Sequence, residues 1–176
     1  ETVIFTGNLS PYQGVDLLLE AFAELRLHRP RTRLQIVTES DFGPYEAQAL
    51  RLAIRDAVDV CRVPFAKVPL LAAADVAVSP RVVCDGIPQK LLNYMAAGKP
   101  IVAFEGSAVH LQHEVTGLRV PDRDIKAMAA SIRRLLDDRP LADRLAAAAR
   151  DQVRRDFSWD SAAERVEQVY RQARER

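Results

Sequence analysis

Short runs rich in β-branched and apolar residues alternate with stretches of helical apolar spacing along almost the whole chain, and this alternation limits the fold more than any other feature. A chain that leaves one strand, crosses through a helix and starts another strand re-enters the sheet in the same direction, so the pattern implies parallel pairing with helices packed on the sheet. The expected strands are TVIFT at 2–6, RLQIVT at 33–38, a run from about Val58 to Val63, DVAVSP at 75–80, PIVAF at 100–104 and LRV at 118–120. Between them Val15, Leu18, Leu19, Phe22 and Leu25 recur at helical spacing. Further helices are expected from Glu46 to Arg55, from Phe65 to Ala74 and through DGIPQKLLNYMAAGKP at 85–100. After Asp122 everything reads as helix, roughly Ile125 to Asp138, Leu141 to Arg155 and Ser161 to Arg174, with Pro140 opening one helix and FSWD separating the last two. The fold class implied is α/β: a Rossmann-like three-layer domain, with a parallel sheet of about six strands, helices on both faces and a helical C-terminal tail.

With 176 residues, 48% of them apolar, the chain can bury a sizeable core, and residues 1–176 are expected to form a single unit. The formal net charge is only +1, with acids and bases mixed, so no field large enough to hold nucleic acid is present and any anion site must be local. Cys61 and Cys84 lie 23 positions apart with no paired C-x-x-C spacing, which argues against a zinc site or a disulfide framework and fits a reducing, cytoplasmic compartment. No secretory signal is evident, and no apolar run approaches the roughly 20 residues needed to cross a bilayer. Because Val3, Ile4 and Phe5 already read as a buried strand, the chain is expected to be one domain of a longer polypeptide.

In open parallel sheets ligands bind beyond the carboxyl ends of the strands, where loops lead into helix N-termini that carry partial positive charge and free N–H groups. Four loops qualify: GNLSPYQG, TESDFGPY, RVVCDGIP and EGSAV. A phosphorylated ligand suits such a place. Gly7 and Gly14 fit neither of the common phosphate-binding glycine spacings, so by spacing alone they read as turn and helix entry. In DGIPQKLLNYMAAGKP, Pro88 suits the first helical position and Gly98 a left-handed cap. At about 100° per residue, Leu91, Leu92 and Met95 share one face, while Lys90, Asn93 and Ala97 share the opposite one. That second face is either solvated or turned toward a ligand, and periodicity does not choose between the two.

These segments resemble a known family. LLNYMAAGKPIVA is similar to the L-L-E-A-M-A-A-G-x-P-V-V-A segment of the group 1 retaining glycosyltransferases, which have the two-domain GT-B fold. GNLSPYQGVDLLLEAF resembles the G-R-L-x-x-x-K-G-x-D-x-L-L-x-A opening of that family's C-terminal, donor-binding domain. VPLLAAADVAVSP, VTGLRVPDRD and FSWDSAAERVEQVY resemble three further family segments, in the family's order. The resemblance implies a nucleotide-diphosphate sugar bound without a metal or other cofactor, and transfer of the sugar with retention at the anomeric carbon. It places the acceptor-binding N-terminal domain before Glu1, and it allows peripheral association of the full-length enzyme with the inner face of a membrane.

Carried over residue by residue, the family's leaving-group arginine and lysine fall on Asn8 and Gln13, and its two glutamates on Asp85 and Asn93. All four differ from the family pattern. Asn8 and Gln13 donate hydrogen bonds without charge, so neutralisation of a diphosphate falls to Lys90 or Arg81. Asp85 keeps a carboxylate for the donor sugar, and Asn93 offers an amide to a ribose diol. Gly7, Gly14, Gly86, Ile87 and Pro88 are expected to border the donor through backbone groups, as are Gly106 and Ser107, although Gly106 reads equally well as a simple turn. Glu39 and Ser40 are expected in a solvated loop, Val63 in the core, and His110 and His113 in surface or structural roles. Cys84 reads as a small packing residue, and Trp159 and Tyr170 as anchors of the last helix. Because the charged quartet is missing, a nucleotide-sugar-binding or scaffold domain with weakened catalysis is the alternative, ahead of an epimerase-like domain or a flavodoxin-like receiver. The last two lack, respectively, a histidine and carboxylate set and an acidic cluster after the first strand.

Overall fold

The computed structural model describes residues 1–62 and 69–174. Six strands, β1 (Thr2–Thr6), β2 (Arg33–Val37), β3 (Val58–Cys61), β4 (Val76–Ser79), β5 (Ile101–Phe104) and β6 (Leu118–Val120), pair in parallel in the order β3-β2-β1-β4-β5-β6. This is the doubly wound arrangement expected from the alternation, and its order reverses between β1 and β4. A crevice opens at such a reversal, because the connections from the two central strands leave toward opposite faces.

The helices are α1 (Val15–Arg26), α2 (Gly43–Arg51), α3 (Pro69–Ala73), α4 (Gln89–Ala96), α5 (Ile125–Asp137), α6 (Arg139–Asp156) and α7 (Trp159–Arg174). Successive side chains of a strand point to opposite faces, so Val3, Phe5, Val76, Val78, Val102 and Phe104 join one core with α1, α2 and α5. Ile4, Ala77, Ile101 and Ala103 join the other with α3, α4 and the later part of α6. Both faces of β4 and β5 are buried throughout, which is why these strands read as unbroken apolar runs.

Several boundaries differ from expectation for identifiable reasons. The second helix starts at Gly43 rather than Glu46, because Pro44 in its first turn has φ already set for a helix. It ends at Arg51 rather than Arg55, where Ala53 takes a left-handed φ of 52° and the next residues form a short 3-10 turn, Arg55–Ala57. Asp138 ends α5 and caps α6, its carboxylate accepting the N–H of Leu141 at 2.9 Å, so Arg139 and Pro140 become the first turn of α6. Residues 63–68 lie outside the described residues, and with them Val63 and the first part of the helix expected from Phe65. The expected anchoring role of Trp159 and Tyr170 does not hold within this chain: they are 92% and 69% exposed, and α7 buries none of its residues. Among the described residues no helix is long and apolar enough to cross a membrane.

Candidate functional site

The crevice between β1 and β4 is lined from both sides. After β1, Gly7 (φ 134°) continues the pairing with β2 through its N–H to the Val37 carbonyl at 3.0 Å. Asn8 then turns the chain, its side-chain oxygen accepting the Ser10 N–H at 3.2 Å and its amide donating to the Tyr12 hydroxyl at 3.2 Å. Pro11–Gln13 forms a single 3-10 turn, and Gly14, left-handed at φ 70°, opens α1. From the other side, Pro88, expected at the first helical position, is instead the extended residue that precedes α4, with Gln89 its first helical residue; the helix closes on Gly98, whose φ of 62° lets its N–H and that of Lys99 reach the Met95 and Tyr94 carbonyls. Leu91, Tyr94 and Met95 are buried against the sheet, and Lys90 and Asn93 face the crevice.

Lys90 is the electrostatic centre of this place. Its ammonium donates to the Gln13 side-chain oxygen at 2.5 Å and lies 3.9 Å from the centroid of the Phe5 ring, a cation–π contact. Gly7 leaves it room, since a Cβ there would stand 3.2 Å from Nζ. Gln13 is itself buried, at 6% exposure, and no carboxylate among the described residues pairs with Lys90. Burial disfavours the charged form and the nearby Arg81 guanidinium adds repulsion, so Lys90 falls from its usual range to about 7, against a small opposing effect of Cys84. Arg81 stacks 4.9 Å from the Tyr12 ring centroid, holding a second cation over the first loop.

Tyr94 ties the two walls together. Its buried hydroxyl accepts the Thr6 N–H at 2.8 Å and bonds the Thr6 hydroxyl at 3.1 Å, and burial pushes its pKa up to about 12. Thr6 is the last residue of β1, so this contact fixes how α4 presents Lys90 and Asn93 to the crevice. Tyr94→Phe leaves the buried Thr6 N–H without a partner and is expected to lower the unfolding free energy by about 1–3 kcal/mol, read from urea denaturation.

A cavity of about 510 Å³ occupies the crevice and brings together Gly7, Asn8, Gln13, Lys90 and Asn93. It is also lined by Thr6, Thr38, Glu39, Ser40 and Gln89. Glu39 is exposed, as expected of a solvated loop, and both it and the half-buried Ser40 line the cavity. Ser40 is held there by the Leu9 N–H, at 3.2 Å from its hydroxyl. A second cavity of about 450 Å³, largely apolar, is lined by Val37, Leu71, Ala72, Ala96 and Ala97, and Thr6 and Asn93 border both.

The other sequence candidates stand apart. Asp85, Gly86 and Ile87 form an exposed loop leading into α4, with Pro88 buried at its end. Nothing lies within 4 Å of a Cβ placed on Gly86. Gly14 and Gly106 instead grip the backbone that leaves β4: a Cβ on Gly14 would meet the Pro80 carbonyl oxygen at 2.1 Å, and one on Gly106 the Val82 carbonyl oxygen at 1.6 Å. The Gly106 N–H is taken by Asp122 at 2.9 Å, and Ser107 is fully buried with its hydroxyl 3.3 Å from that of Ser79. His110 packs edge-on against Phe157, and His113 accepts the Arg119 N–H at 3.1 Å. Among the described residues no group of three or more histidines, cysteines or carboxylates is placed to hold a metal ion.

Residues 1–138 match the profile of the family described as glycosyl transferases group 1. The chain is 32% identical over 192 aligned positions to a D-inositol 3-phosphate glycosyltransferase of Thermobispora bispora, covering 99% of this chain and 44% of that protein. Among solved structures, the sucrose-phosphate synthase of Thermosynechococcus elongatus superposes with a TM-score of 0.85 at 26% identity, over 98% of this chain and 45% of that one. Anabaena Alr3699/HepE, solved in complex with UDP, superposes with a TM-score of 0.87 at 21% identity, over 97% and 48%. The chain thus spans about half the length of the relatives it matches. A doubly wound sheet, a crevice at its reversal point and a profile match over most of the chain agree: the chain belongs to the group 1 glycosyl transferases.

Proposed function

We propose that the chain is the donor-binding, C-terminal half of a glycosyltransferase, taking a nucleotide-diphosphate sugar at the crevice between β1 and β4 and transferring the sugar, with retention, to an acceptor held by an N-terminal domain. The observation that carries this reading is the largely enclosed side-chain nitrogen of Lys90, which faces a cavity lined by polar residues and has no carboxylate partner among the described residues. An enclosed cation without a counter-ion is destabilising on its own, so a site that keeps one is suited to an anionic ligand. The diphosphate is assigned to Lys90, with Arg81 beside it, and the ribose diol to the Asn93 amide. The apolar cavity beyond Asn93 suits the flat face of a base, and Asp85 is assigned to the sugar hydroxyls. When the bond from the anomeric carbon to the diphosphate breaks, charge grows on the leaving oxygen, and a fixed cation there lowers the barrier. No metal is needed for this role. The isolated chain is expected to bind donor without turnover, and the full-length enzyme to work in the cytoplasm, at the inner membrane face if its acceptor lies there.

A second reading, a nucleotide-sugar-binding or scaffold domain with weakened catalysis, is favoured by one observation: the first loop carries no cation, and the Asn8 side chain is spent on its own turn. Titration calorimetry of the chain with UDP-, GDP- and ADP-sugars tests what both readings share. One of them is expected to bind in the micromolar range, with Lys90→Ala and Asn93→Ala each weakening it roughly tenfold or more. Failure of all three to bind a folded chain would sink the donor-site assignment, and only turnover by the full-length protein separates enzyme from scaffold.

A further inference from the structure

The contacts of Lys90 have a chemical peculiarity. Gln13 accepts a hydrogen bond from Nζ through a neutral amide oxygen, which favours the ammonium less than a carboxylate would and so does not by itself fix the charge. A carboxylate at position 13 would have held the proton permanently. Phe5 from β1 offers the ammonium its ring face, a modest stabilisation, and neither it nor Gly7 is ionisable. Arg81 and Cys84, from the segment between β4 and α4, are the charged and titratable groups acting on Lys90. Glu39 after β2 lines the same cavity without forming an ion pair with Nζ.

Resting on the donor-site reading above, we propose that binding of the diphosphate is coupled to uptake of a proton at Lys90 Nζ, so that this amine acquires its full charge from solvent as its ligand arrives. Two phosphate charges beside Nζ reverse the balance that the empty crevice sets, because a nearby anion favours the ammonium as strongly as burial and Arg81 oppose it. The bond formed is N–H on Nζ. The proton comes from buffer and leaves again when the diphosphate departs. The leaving-group cation is thus supplied by α4 and is switched on by occupancy, whereas a first-loop arginine would be charged at all times.

The direction of the pH dependence follows. With Lys90 near 7 in the empty site, a ligand that selects the ammonium loses about tenfold in affinity between pH 6 and pH 8. Uptake at pH 7 is then about half a proton per ligand bound. Nucleotide-diphosphate sugars are suitable probes, because both phosphates are diesters with no titration of their own in this range. Calorimetry of the whole chain with UDP-glucose, GDP-mannose and ADP-glucose, in two buffers of different ionisation enthalpy and at pH 6, 7 and 8, counts the protons. Wild type should show the uptake and the tenfold slope with whichever of the three binds. Lys90→Gln should bind it weakly and take up no proton. Lys90→Arg, charged throughout, should likewise bind without uptake. Binding by wild type with no uptake and no slope would overturn the inference while leaving the donor site intact, and so would uptake that persists in either variant. Absence of binding by all three sugars removes the donor-site reading and this inference with it.

Discussion

Lys90→Met is expected to make the empty chain more stable at pH 7, by about 2–4 kcal/mol, while raising the dissociation constant for the donor by tenfold or more. Burial holds Lys90 near 7, well below its usual range, so below that pH the native state carries an enclosed cation that the unfolded chain can hydrate. Its hydrogen bond to Gln13 and its place over Phe5 offset only part of this penalty. The sign of the pH dependence is fixed by linkage. Between pH 7 and about 10 the unfolded state binds more protons at this position than the native state does, so wild-type stability gains with rising pH from this group. The methionine variant lacks that gain. In urea denaturation at a series of pH values the stability gap between variant and wild type should be widest at and below neutrality and narrow toward pH 10. A variant no more stable than wild type, or a gap that widens as pH rises, would mean that Lys90 is better solvated or paired than its contacts imply.

Gly106→Ala should be among the most damaging single methyl additions in the chain. A Cβ at this position falls 1.6 Å from the Val82 carbonyl oxygen and 2.8 Å from its carbon, and backbone cannot rotate aside as the end of a long side chain can. The loop after β5 and the segment after β4 would have to separate, straining the Gly106 N–H bond to Asp122 and the packing around Ser79 and Ser107. A loss of about 3 kcal/mol or more is expected. Gly86→Ala is the control: it sits at φ 88° with open space around it, so only backbone strain of about 1 kcal/mol opposes a methyl group. Chemical denaturation of the pair should rank them in that order. A mild Gly106 variant would mean that the two loops are less tightly apposed than they stand in this structure.

The architecture was legible because it rests on local pattern. The apolar runs at 2–6, 33–38, 75–80 and 100–104 could be placed to within a residue, and the alternation with helices required parallel pairing. Helix ends depended on details of less weight, such as Pro44 opening α2 and Ala53 turning left-handed after it. The site was half legible. The face of α4 that carries Lys90 and Asn93 followed from periodicity, but the partner of Lys90 lies 77 positions away, across the reversal of strand order. Nothing local in the sequence couples those two residues. Glu39 is exposed, as its polar surroundings imply, and its place with Ser40 on the cavity wall agrees with the rule that ligands gather beyond the strand ends. In the sequence Gly106 reads equally as turn and as ligand contact, and its close approach to Val82 is a tertiary fact that no neighbouring residue announces. Trp159 shows the opposite limit. It reads in the sequence as an anchor of the last helix, and the short range of sequence pattern does not say that α7 buries none of its residues against the rest of this chain.

The grip of Gly14 and Gly106 on either side of residues 80–82 has a bearing on how such a site can change over generations. The anchorage is made of main chain against main chain, so it makes no demand on which side chains follow it. Residues 83 and 85–87 are exposed beyond the anchor and support little of the core. Apart from Gly86, whose positive φ opposes any side chain, substitutions there should be nearly neutral for folding while altering what the loop offers a ligand, so selectivity can drift among descendants through this segment without first acquiring compensating changes elsewhere. The two glycines, by contrast, should tolerate almost no replacement, and a saturation library across 80–88 and 104–108 would separate the two kinds of position at a glance.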